Sequence, residues 1–348
     1  MLQTELTRLL GIRLPIVQAP MAGGPTTPEL VTAASGAGAL GIFAGAALPL
    51  EVLEQAITSI GDVTFGVNFQ LVEPGSGGDV EAVQSAIDPL RAELGLPAGP
   101  REVQAPEVSV DEQVALCLSR GVRVLTFALG DPSRYVRQGA LVGATVTTVE
   151  EAVRVADAGV DFVVAQGAEA GGHRSTFDVS DGVPLVGTLA LVPQVVDAVP
   201  LPVVATGGIV DGRGVAAALA LGAAGAQLGT RFLLAREAGT APGYRRAVLR
   251  AVETDTVVTT GFTGRHARSI RNRFLDETAG VEPLPWPRQR AAATDLYRAA
   301  LERGESAFHP LLVGQGLRGL RDGQPAAEIV AEVAEQAASV LRSLAADL

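Results

Sequence analysis

The hydrophobic positions of this chain fall into short apolar runs of strand length, separated by longer segments with apolar residues at helical spacing. Such alternation is typical of parallel α/β folds, because each buried strand is followed by a helix that covers the sheet. Eight runs each predict a strand, at residues 15–19, 41–44, 64–69, 122–128, 141–146, 162–165, 203–206 and 226–229.

The segments between these runs predict the covering helices. Residues 148–158 and 211–221 show helical spacing of apolar side chains, with Thr147 and Asp211 available as N-caps. Eight strand–helix units in about 240 residues favour a barrel over a doubly wound sheet, which usually has fewer strands and an early glycine-rich turn. We therefore predict an α/β fold, a (β/α)8 TIM barrel.

Two regions depart from the regular alternation. Residues 72–106 are too long for an ordinary connection and contain a helical stretch at 79–94. We expect residues 1–234 to form the barrel, with this segment as an insertion. Residues 235–348 are expected to form a small, mainly helical cap or substrate region that completes the barrel exterior. Its helical patterns lie at 242–252, 288–303 and 326–344.

Composition narrows the chemistry that such a fold can carry. The 348 residues include 27 arginines, no lysine and 41 glycines, with a formal net charge of -11. Without lysine, a Schiff base and a Walker A loop are excluded, which removes class I aldolases, pyridoxal enzymes and P-loop NTPases. The negative charge argues against a nucleic-acid partner. The arginine cluster from Arg265 to Arg273 is expected to be a solvated or salt-bridged face rather than a substrate-anion site.

The sequence also bears on location. Its first residues lack the basic start and apolar run of a signal peptide. The most apolar stretch, 215–234, is interrupted by Gln227, Arg231 and three glycines, which makes a membrane span a poor interpretation. The single cysteine, Cys117, lies in a helical pattern where we expect a buried apolar role. We expect a cytoplasmic protein without a membrane partner.

Glycine-rich segments follow the last two predicted strands. Gly207 and Gly208 follow the seventh, and Gly229 and Thr230 follow the eighth. Glycines let backbone N–H groups approach a phosphate closely, and TIM barrels often bind phosphate at these two loops. The helix beginning at Asp211 would add its positive N-terminal end. We favour a phosphate site over the alternative, a plain strand-to-helix turn.

One histidine lies in a polar, glycine-rich loop after the sixth strand. His173 is a candidate general base because imidazole titrates near neutrality; an ordinary loop hydrogen bond is the alternative. A metal site with Glu169 is disfavoured, because two glycines between them break the helix that would align them and no third ligand is apparent. We predict no metal. His266 and His309 are expected on the surface or in the cap.

Taken together, these segments resemble the nitronate monooxygenases, formerly called 2-nitropropane dioxygenases. The most specific is the Glu-Ala-Gly-Gly-His-Arg sequence at 169–174. The likeness covers most of the chain, including residues 15–23, 66–68, 166–174, 205–209, 227–230 and 263–274. The resemblance implies a TIM-barrel oxidoreductase with noncovalent FMN.

The resemblance also implies roles for individual positions. Asn68 and Gln166 would hydrogen-bond the flavin ring or ribityl chain, and Gly171 would lie against the cofactor. His173 would be the catalytic residue, abstracting the carbon proton of a nitroalkane or stabilising a bound nitronate. The other implied cofactor-binding residues are Ala19, Pro20, Met21, Ala22, Gly172, Gly207, Gly208, Gln227, Leu228, Gly229 and Thr230.

The implied reaction is the oxidation of an alkyl nitronate, or of a nitroalkane, by dioxygen to a carbonyl compound and nitrite. A monomer or homodimer is expected. Two departures from the family pattern leave the substrate open. Ser175 replaces a glycine, which matters if that position needs a positive φ, and Gly24-Pro25 alters the first loop.

Two alternatives remain open. The first is an FMN-dependent enoyl-acyl-carrier-protein reductase, whose need for an acidic carrier protein fits poorly with a net charge of -11. The second is a flavin-binding barrel with another oxidoreductase role or a regulatory one. Substrate-dependent reduction of the flavin would separate these alternatives from the nitronate hypothesis.

Overall fold

Eight parallel strands close into a barrel in the computed structural model, which describes residues 2–104 and 108–346. The ends of the predicted ranges at residues 1, 105–106 and 347–348 lie outside the described residues. The barrel strands are β1 (Ile16–Gln18), β2 (Leu40–Ala44), β3 (Phe65–Gln70), β4 (Val124–Ala128), β5 (Leu141–Val146), β6 (Phe162–Gln166), β8 (Val203–Thr206) and β9 (Gly225–Leu228). They are hydrogen-bonded in that order, and β9 pairs with β1 to close the barrel.

The TIM-barrel prediction is confirmed, and each predicted strand matches an observed one to within two residues at either end. The strands were readable because they are buried on both faces, which makes them near-continuous apolar runs. Three further strands form a separate antiparallel sheet in the order β10, β11, β7. They are β7 (Gly172–His173), β10 (Thr256–Thr259) and β11 (Ala267–Ile270).

The described residues form thirteen α-helices. They are α1 (Glu5–Leu10), α2 (Pro28–Gly36), α3 (Leu50–Ile60), α4 (Val80–Glu93), α5 (Val110–Ser119), α6 (Val149–Ala158), α7 (Thr188–Ala198), α8 (Gly212–Ala220), α9 (Thr230–Leu233), α10 (Pro242–Arg250), α11 (Arg273–Thr278), α12 (Arg288–Glu302) and α13 (Ala326–Ala346). A single 3-10 turn, Ser133–Tyr135, follows β4.

Local capping sets where several helices begin. Asp211 caps α8 as predicted, but the predicted cap Thr147 is wrong for α6. The hydroxyl of Thr148 accepts from Glu151 N at 3.1 Å, while Thr147 N donates to the Glu151 carboxylate at 2.6 Å. The cap therefore lies one residue later than predicted, because it is the Thr148 hydroxyl that accepts from an otherwise unpaired N–H in the first turn.

The barrel core extends to the last helix of the chain. Apolar side chains of α13, including Ile329 and Val333, join the cluster formed by the strands and the surrounding helices. A Cβ on Gly212 would lie 2.3 Å from the backbone nitrogen of Ala337, so glycine allows α8 and α13 to approach closely. Cys117 is fully buried in this cluster, as expected, and burial raises its pKa to about 12.

A second hydrophobic core joins the insertion to the C-terminal region. We call α4, α11, α12 and the β10–β11 hairpin the lid. Phe262, Phe274 and Tyr297 cluster there with apolar side chains of α4. The fully buried Arg91 of α4 makes a two-pronged ion pair with Asp295 of α12, at 2.9 and 3.0 Å. The lid therefore forms one packed unit over the barrel mouth.

The C-terminal region contains more than helices. The predicted helices 242–252, 288–303 and 326–344 occur as α10, α12 and α13, but β10 and β11 were not predicted. These short strands are stabilised by pairing with each other and with β7, so their own sequence pattern is weak. None of the helices in residues 2–104 and 108–346 is long and apolar enough to cross a membrane.

Candidate active site

A cavity of about 490 Å³ lies at the carboxyl ends of the barrel strands, between the barrel and the lid. All predicted site residues line it except Leu228, whose side chain is fully buried in the barrel core. Successive side chains of a strand point to opposite faces, so Gln227 faces the cavity and Leu228 does not. The lining residues from the prediction are Ala19, Pro20, Met21, Ala22, Asn68, Gln166, Gly171, Gly172, His173, Gly207, Gly208, Gln227, Gly229 and Thr230.

The glycine loop after β8 has a backbone that requires glycine. Gly207 and Gly208 have φ values of 123° and 70°, and a Cβ on Gly207 would lie 2.6 Å from Thr188 Oγ1. Within the described residues, the amide N–H groups of Gly208, Gly229 and Thr230 donate to no protein acceptor. Free N–H groups on two neighbouring loops suit an anion such as a phosphate.

The helix that follows this loop contributes less than expected. The Asp211 carboxylate accepts from the amides of Arg213 and Gly214 at 3.0 and 3.3 Å, and Gly212 N donates to Gln336 Oε1 at 2.8 Å. The first N–H groups of α8 are therefore already used within the protein. Donors for a phosphate must come from the loops rather than from the end of α8.

His173 lies where the barrel and the lid share a sheet, because β7 pairs with β11 and sets Ala267 opposite His173. Its Nε2 lies 3.0 Å from Thr263 Oγ1, and that hydroxyl donates to the Arg265 carbonyl at 3.1 Å. A hydroxyl has one proton, so Thr263 accepts from His173 Nε2–H. This assignment leaves Nδ1 with the lone pair. The Trp286 ring meets the imidazole edge-on at 5.0 Å.

The surroundings of His173 keep the imidazole neutral. Burial is the largest cause, and together with the positive charges of Arg290 and Arg265 it lowers the His173 pKa to about 3. A neutral ring can accept a proton at Nδ1, and it adds no charge of its own to the cavity. A proton would be held more strongly once an anion lies beside the ring, because an opposite charge favours the charged form.

The loop that carries His173 is fixed by buried polar groups. Gln166 Nε2 donates to the His173 carbonyl at 3.0 Å, and Oε1 accepts from Arg174 Nη1 and Ser175 N, both at 2.9 Å. Arg174 is fully buried and also donates to the Gly167 carbonyl at 2.6 Å. Gln166 thus lines the cavity, but both Nε2 and Oε1 of its side-chain amide already form hydrogen bonds that position this loop.

Ser175 departs from the family glycine without strain. Its φ is not in the left-handed region, and the side chain is buried. A serine at this position is therefore compatible with the loop geometry. The concern that a positive φ is needed here is removed.

Asn68 and Gly171 reach the cavity in different ways. The Asn68 Nδ2 group donates to Thr126 Oγ1 and to the Thr126 carbonyl at 3.0 and 3.2 Å, which leaves Oδ1 without a partner in the described chain. A Cβ on Gly171 would lie 2.3 Å from the carbonyl carbon of Val313. Asn68 therefore offers a free acceptor, whereas Gly171 is needed for close approach of another chain segment.

The arginine cluster divides into two pairs. Arg271 and Arg273 form exposed salt bridges, as expected. Arg265 and Arg268 are instead buried and donate to backbone carbonyls of the 168–177 segment, so the expectation of a solvated or salt-bridged face is wrong for them. Their guanidinium groups satisfy carbonyls that the loop leaves unpaired.

Glu169 has a structural partner. Its carboxylate accepts from Thr188 N at 2.9 and 3.0 Å and from Thr188 Oγ1 at 2.8 Å, at the start of α7. Within residues 2–104 and 108–346, no group of three His, Cys, Asp or Glu side chains is placed to hold a metal ion.

The C-terminal region contributes cavity residues that the sequence pattern did not reveal. His309 was expected on the surface or in the cap; it lies in the C-terminal region but is 3% exposed and lines the cavity. Its Nδ1 lies 3.0 Å from the Pro310 carbonyl, and its Nε2 has no hydrogen-bond partner among the described residues. Five of the missed residues lie on α12, at helical spacing within the predicted helix 288–303. This spacing was the signal that could have indicated a shared face. The missed residues include Tyr244, Arg290, Thr294, Tyr297, Arg298, Leu301 and Leu312.

Known proteins agree with this architecture. A sequence model of the family described as nitronate monooxygenase matches residues 3–336. A probable nitronate monooxygenase from Staphylococcus saprophyticus is 37% identical, over 98% of this chain and 99% of its own length. The solved nitroalkane oxidase from Streptomyces ansochromogenes superposes with a TM-score of 0.88 at 38% identity, covering 97% of this chain and 99% of that chain.

A further solved structure, FabK from Thermotoga maritima, superposes with a TM-score of 0.79 at 31% identity and covers all of both chains. The family model spans nearly the whole chain, including the barrel, the His173 loop and the lid. This protein is therefore an oxidoreductase, and it belongs to the nitronate monooxygenase family.

Proposed function

We propose that this protein oxidises alkyl nitronates with bound FMN and dioxygen, giving a carbonyl compound and nitrite. The observation that carries the proposal is the charge of the cavity. Its described lining includes Arg290, Arg298 and two histidines but no Asp or Glu, in a chain whose net charge is -11. Such a site attracts an anion, and a nitronate is one.

The residues present fit an FMN molecule. The free amides of Gly208, Gly229 and Thr230 would hold its phosphate, and Asn68 Oδ1 would accept from a ring N–H. The buried Nε2 of His309 has no partner in the part of the chain that the structure describes, and it is a further acceptor at the cavity wall. When bound, a flavin supplies the two-electron oxidation and the transfer of electrons to dioxygen.

The protein's own contribution is to bind, orient and exchange a proton. With a neutral nitroalkane, His173 Nδ1 would accept the carbon proton while Thr263 keeps Nε2–H in place. A pKa of about 3 makes this imidazole a weak base. A nitronate has already lost that proton, so the neutral ring only needs to orient it. The site is therefore better suited to nitronates than to neutral nitroalkanes.

The test uses the purified protein with its bound cofactor. A yellow protein that releases FMN on denaturation, takes up oxygen with propane 2-nitronate and forms nitrite would support the proposal. Absence of both flavin and oxygen uptake would overturn it. Anaerobic mixing with the nitronate should bleach the flavin absorbance, which tests the oxidation step without dioxygen.

The same preparation tests the alternative of enoyl-thioester reduction. Rapid NADH consumption that depends on a crotonyl thioester, with no flavin bleaching by nitronates, would replace the proposed function. Bound flavin that is reduced by neither substrate would instead favour a barrel with another role.

A further inference from the structure

One face of α12 forms the lid side of the cavity. The lining residues of this face follow i, i+3 and i+4 spacing and are Arg290, Thr294, Tyr297, Arg298 and Leu301. At a rise of about 1.5 Å per residue, this face runs along roughly 16 Å of the cavity. The helix thus presents a continuous surface to any bound substrate, with Arg290 near its N-terminal end.

That end of α12 is fixed beside His173. Trp286, which precedes the helix, packs edge-on against the His173 ring, with the two ring centroids 5.0 Å apart. Gln289 holds the helix start, because its Nε2 donates to the Gly261 carbonyl and its Oε1 accepts from Leu284 N, both at 2.9 Å. Arg290 follows directly, so this buried anchor sets its backbone position, and its exposed side chain lines the cavity.

Arg290 has no partner for its charge. Within the described residues, its guanidinium forms no ion pair and no hydrogen bond, although it lines the cavity. The neighbouring Arg265 and Arg268 differ, since both donate to backbone carbonyls. The effect of Arg290 reaches the imidazole, where its charge contributes to lowering the His173 pKa.

We propose that Arg290 binds the nitronate oxygens beside His173 and makes the enzyme select nitronate anions over neutral nitroalkanes. This inference rests on the proposed function. Arg290 is then the specificity-determining residue of the lid, and His173 Nδ1 faces the substrate carbon from the barrel side.

The chemistry of both groups supports this pairing. A nitronate spreads its negative charge over two coplanar oxygens, and a guanidinium presents N–H donors in a planar fork that matches such a pair. A neutral nitro group has the same shape but no net charge, so it gains less from the arginine. Hydrogen bonds to charged groups contribute more than those between neutral groups, which gives Arg290 a basis for discrimination.

The experiment compares Arg290→Gln with the unmodified, FMN-loaded protein. We expect kcat/KM for propane 2-nitronate to fall roughly tenfold to a hundredfold, and kcat/KM for neutral 2-nitropropane to fall by less than about threefold. Arg290→Lys keeps the charge without the fork and should recover part of the nitronate activity. Arg303→Gln removes an equal charge at the exposed end of α12, outside the cavity lining, and should behave as wild type.

A second measurement separates this inference from the proposed function. Nitrate is a planar oxyanion that cannot be oxidised, and its binding can be followed by the change in flavin absorbance. We expect nitrate to bind the wild type and to bind Arg290→Gln at least about tenfold more weakly. This result would support the Arg290 site even if no nitronate were oxidised.

Two outcomes would overturn the inference. One is a wild type that oxidises nitronates while Arg290→Gln keeps both nitronate kcat/KM and nitrate affinity within about twofold; the proposed function would then stand alone. The other is a wild type that does not bind nitrate. If Arg290→Gln fails to fold, Arg290→Lys tests the inference instead. Unchanged nitrate affinity in Arg290→Lys would show that the planar guanidinium does not bind the two oxygens, and would overturn the inference.

Discussion

The barrel side and the lid side of the cavity are built from different chemistry. The barrel side offers glycines, backbone amides and the side-chain Oδ1 of Asn68, whereas the lid side offers arginines and the Tyr297 ring. His173 lies at the boundary, on a strand that pairs with the lid hairpin. In the proposed function this difference separates two tasks: the barrel side would hold a cofactor with a phosphate, and the lid side would recognise a small anionic substrate.

The largest effect is expected from substitution of His173, which lies at the boundary between the two sides. His173→Asn removes the Nδ1 base, and general-base catalysis typically contributes about 10²–10⁴-fold. We expect kcat with neutral 2-nitropropane to fall within that range, because proton abstraction is lost, while FMN stays bound. Flavin content and oxygen uptake, measured on the same sample, check both statements.

The control for this variant is His266→Asn, which changes a half-buried histidine outside the cavity lining. It should keep wild-type turnover. Unchanged activity of His173→Asn with the neutral substrate would refute the base assignment. Equal loss of flavin would instead indicate that His173 supports the cofactor side.

The second effect concerns the packing of α4 against α12 within the lid. Arg91→Gln removes a fully buried cation that joins α4 to Asp295 of α12. Breaking a buried ion pair costs about 3–5 kcal/mol, and we expect about 2–3 kcal/mol here because the Asp295 side chain is 45% exposed. Thermal unfolding with protease cleavage should show the lid opening first, with FMN affinity largely retained. Loss of FMN in parallel with lid opening would contradict the separation of tasks.

The two sides also differ in how far the sequence predicted them. Each barrel strand is buried on both faces, so a local apolar run revealed it and placed Gly207, Gly208 and His173 at strand ends. The lid depends on contacts such as Arg91 with Asp295, which are 204 residues apart in the chain. No local pattern reports such a contact. The spacing along 288–303 indicates a helical face that includes Arg290, but not that this face lies over the cavity, and nothing local indicates the position of His309.

The third prediction tests the barrel side alone. Gly208→Ala places a Cβ at φ 70°, where left-handed backbone costs about 1–2 kcal/mol. Relaxation of the loop should move the free amide, and we expect the Kd for FMN to rise about tenfold, measured by titration of the apoprotein. Gly323→Ala is the matched control, with φ 74° and open space at its Cβ but no cavity contact. It should lose similar stability and keep FMN affinity; equal affinity in both variants would exclude a role for the Gly208 amide.

The fourth prediction uses the titration of His173. Its pKa is lowered from an ordinary value of 6.5 to about 3, so the unfolded chain binds a proton at a pH where the folded protein does not. This group's contribution to stability is complete above pH 6.5 and is lost as the pH falls toward 3. Between pH 7 and 5, the wild type should therefore lose more thermal stability than His173→Asn. Parallel losses in the two proteins would show that His173 is not held neutral.

The smallest effect is expected at Arg273, which is the exposed counterpart of Arg91 in the lid. Arg273 also joins the insertion to the C-terminal region, through Glu93 at 2.6 Å, but its side chain is 45% exposed and that of Glu93 is 43% exposed. Water and salt screen such a pair, and holding two long side chains in one geometry costs entropy. Arg273→Gln should leave the Tm and nitronate kcat/KM close to wild type, most clearly at high salt. A loss as large as that of Arg91→Gln would mean that surface charge, rather than the buried contact, holds the two parts of the lid together.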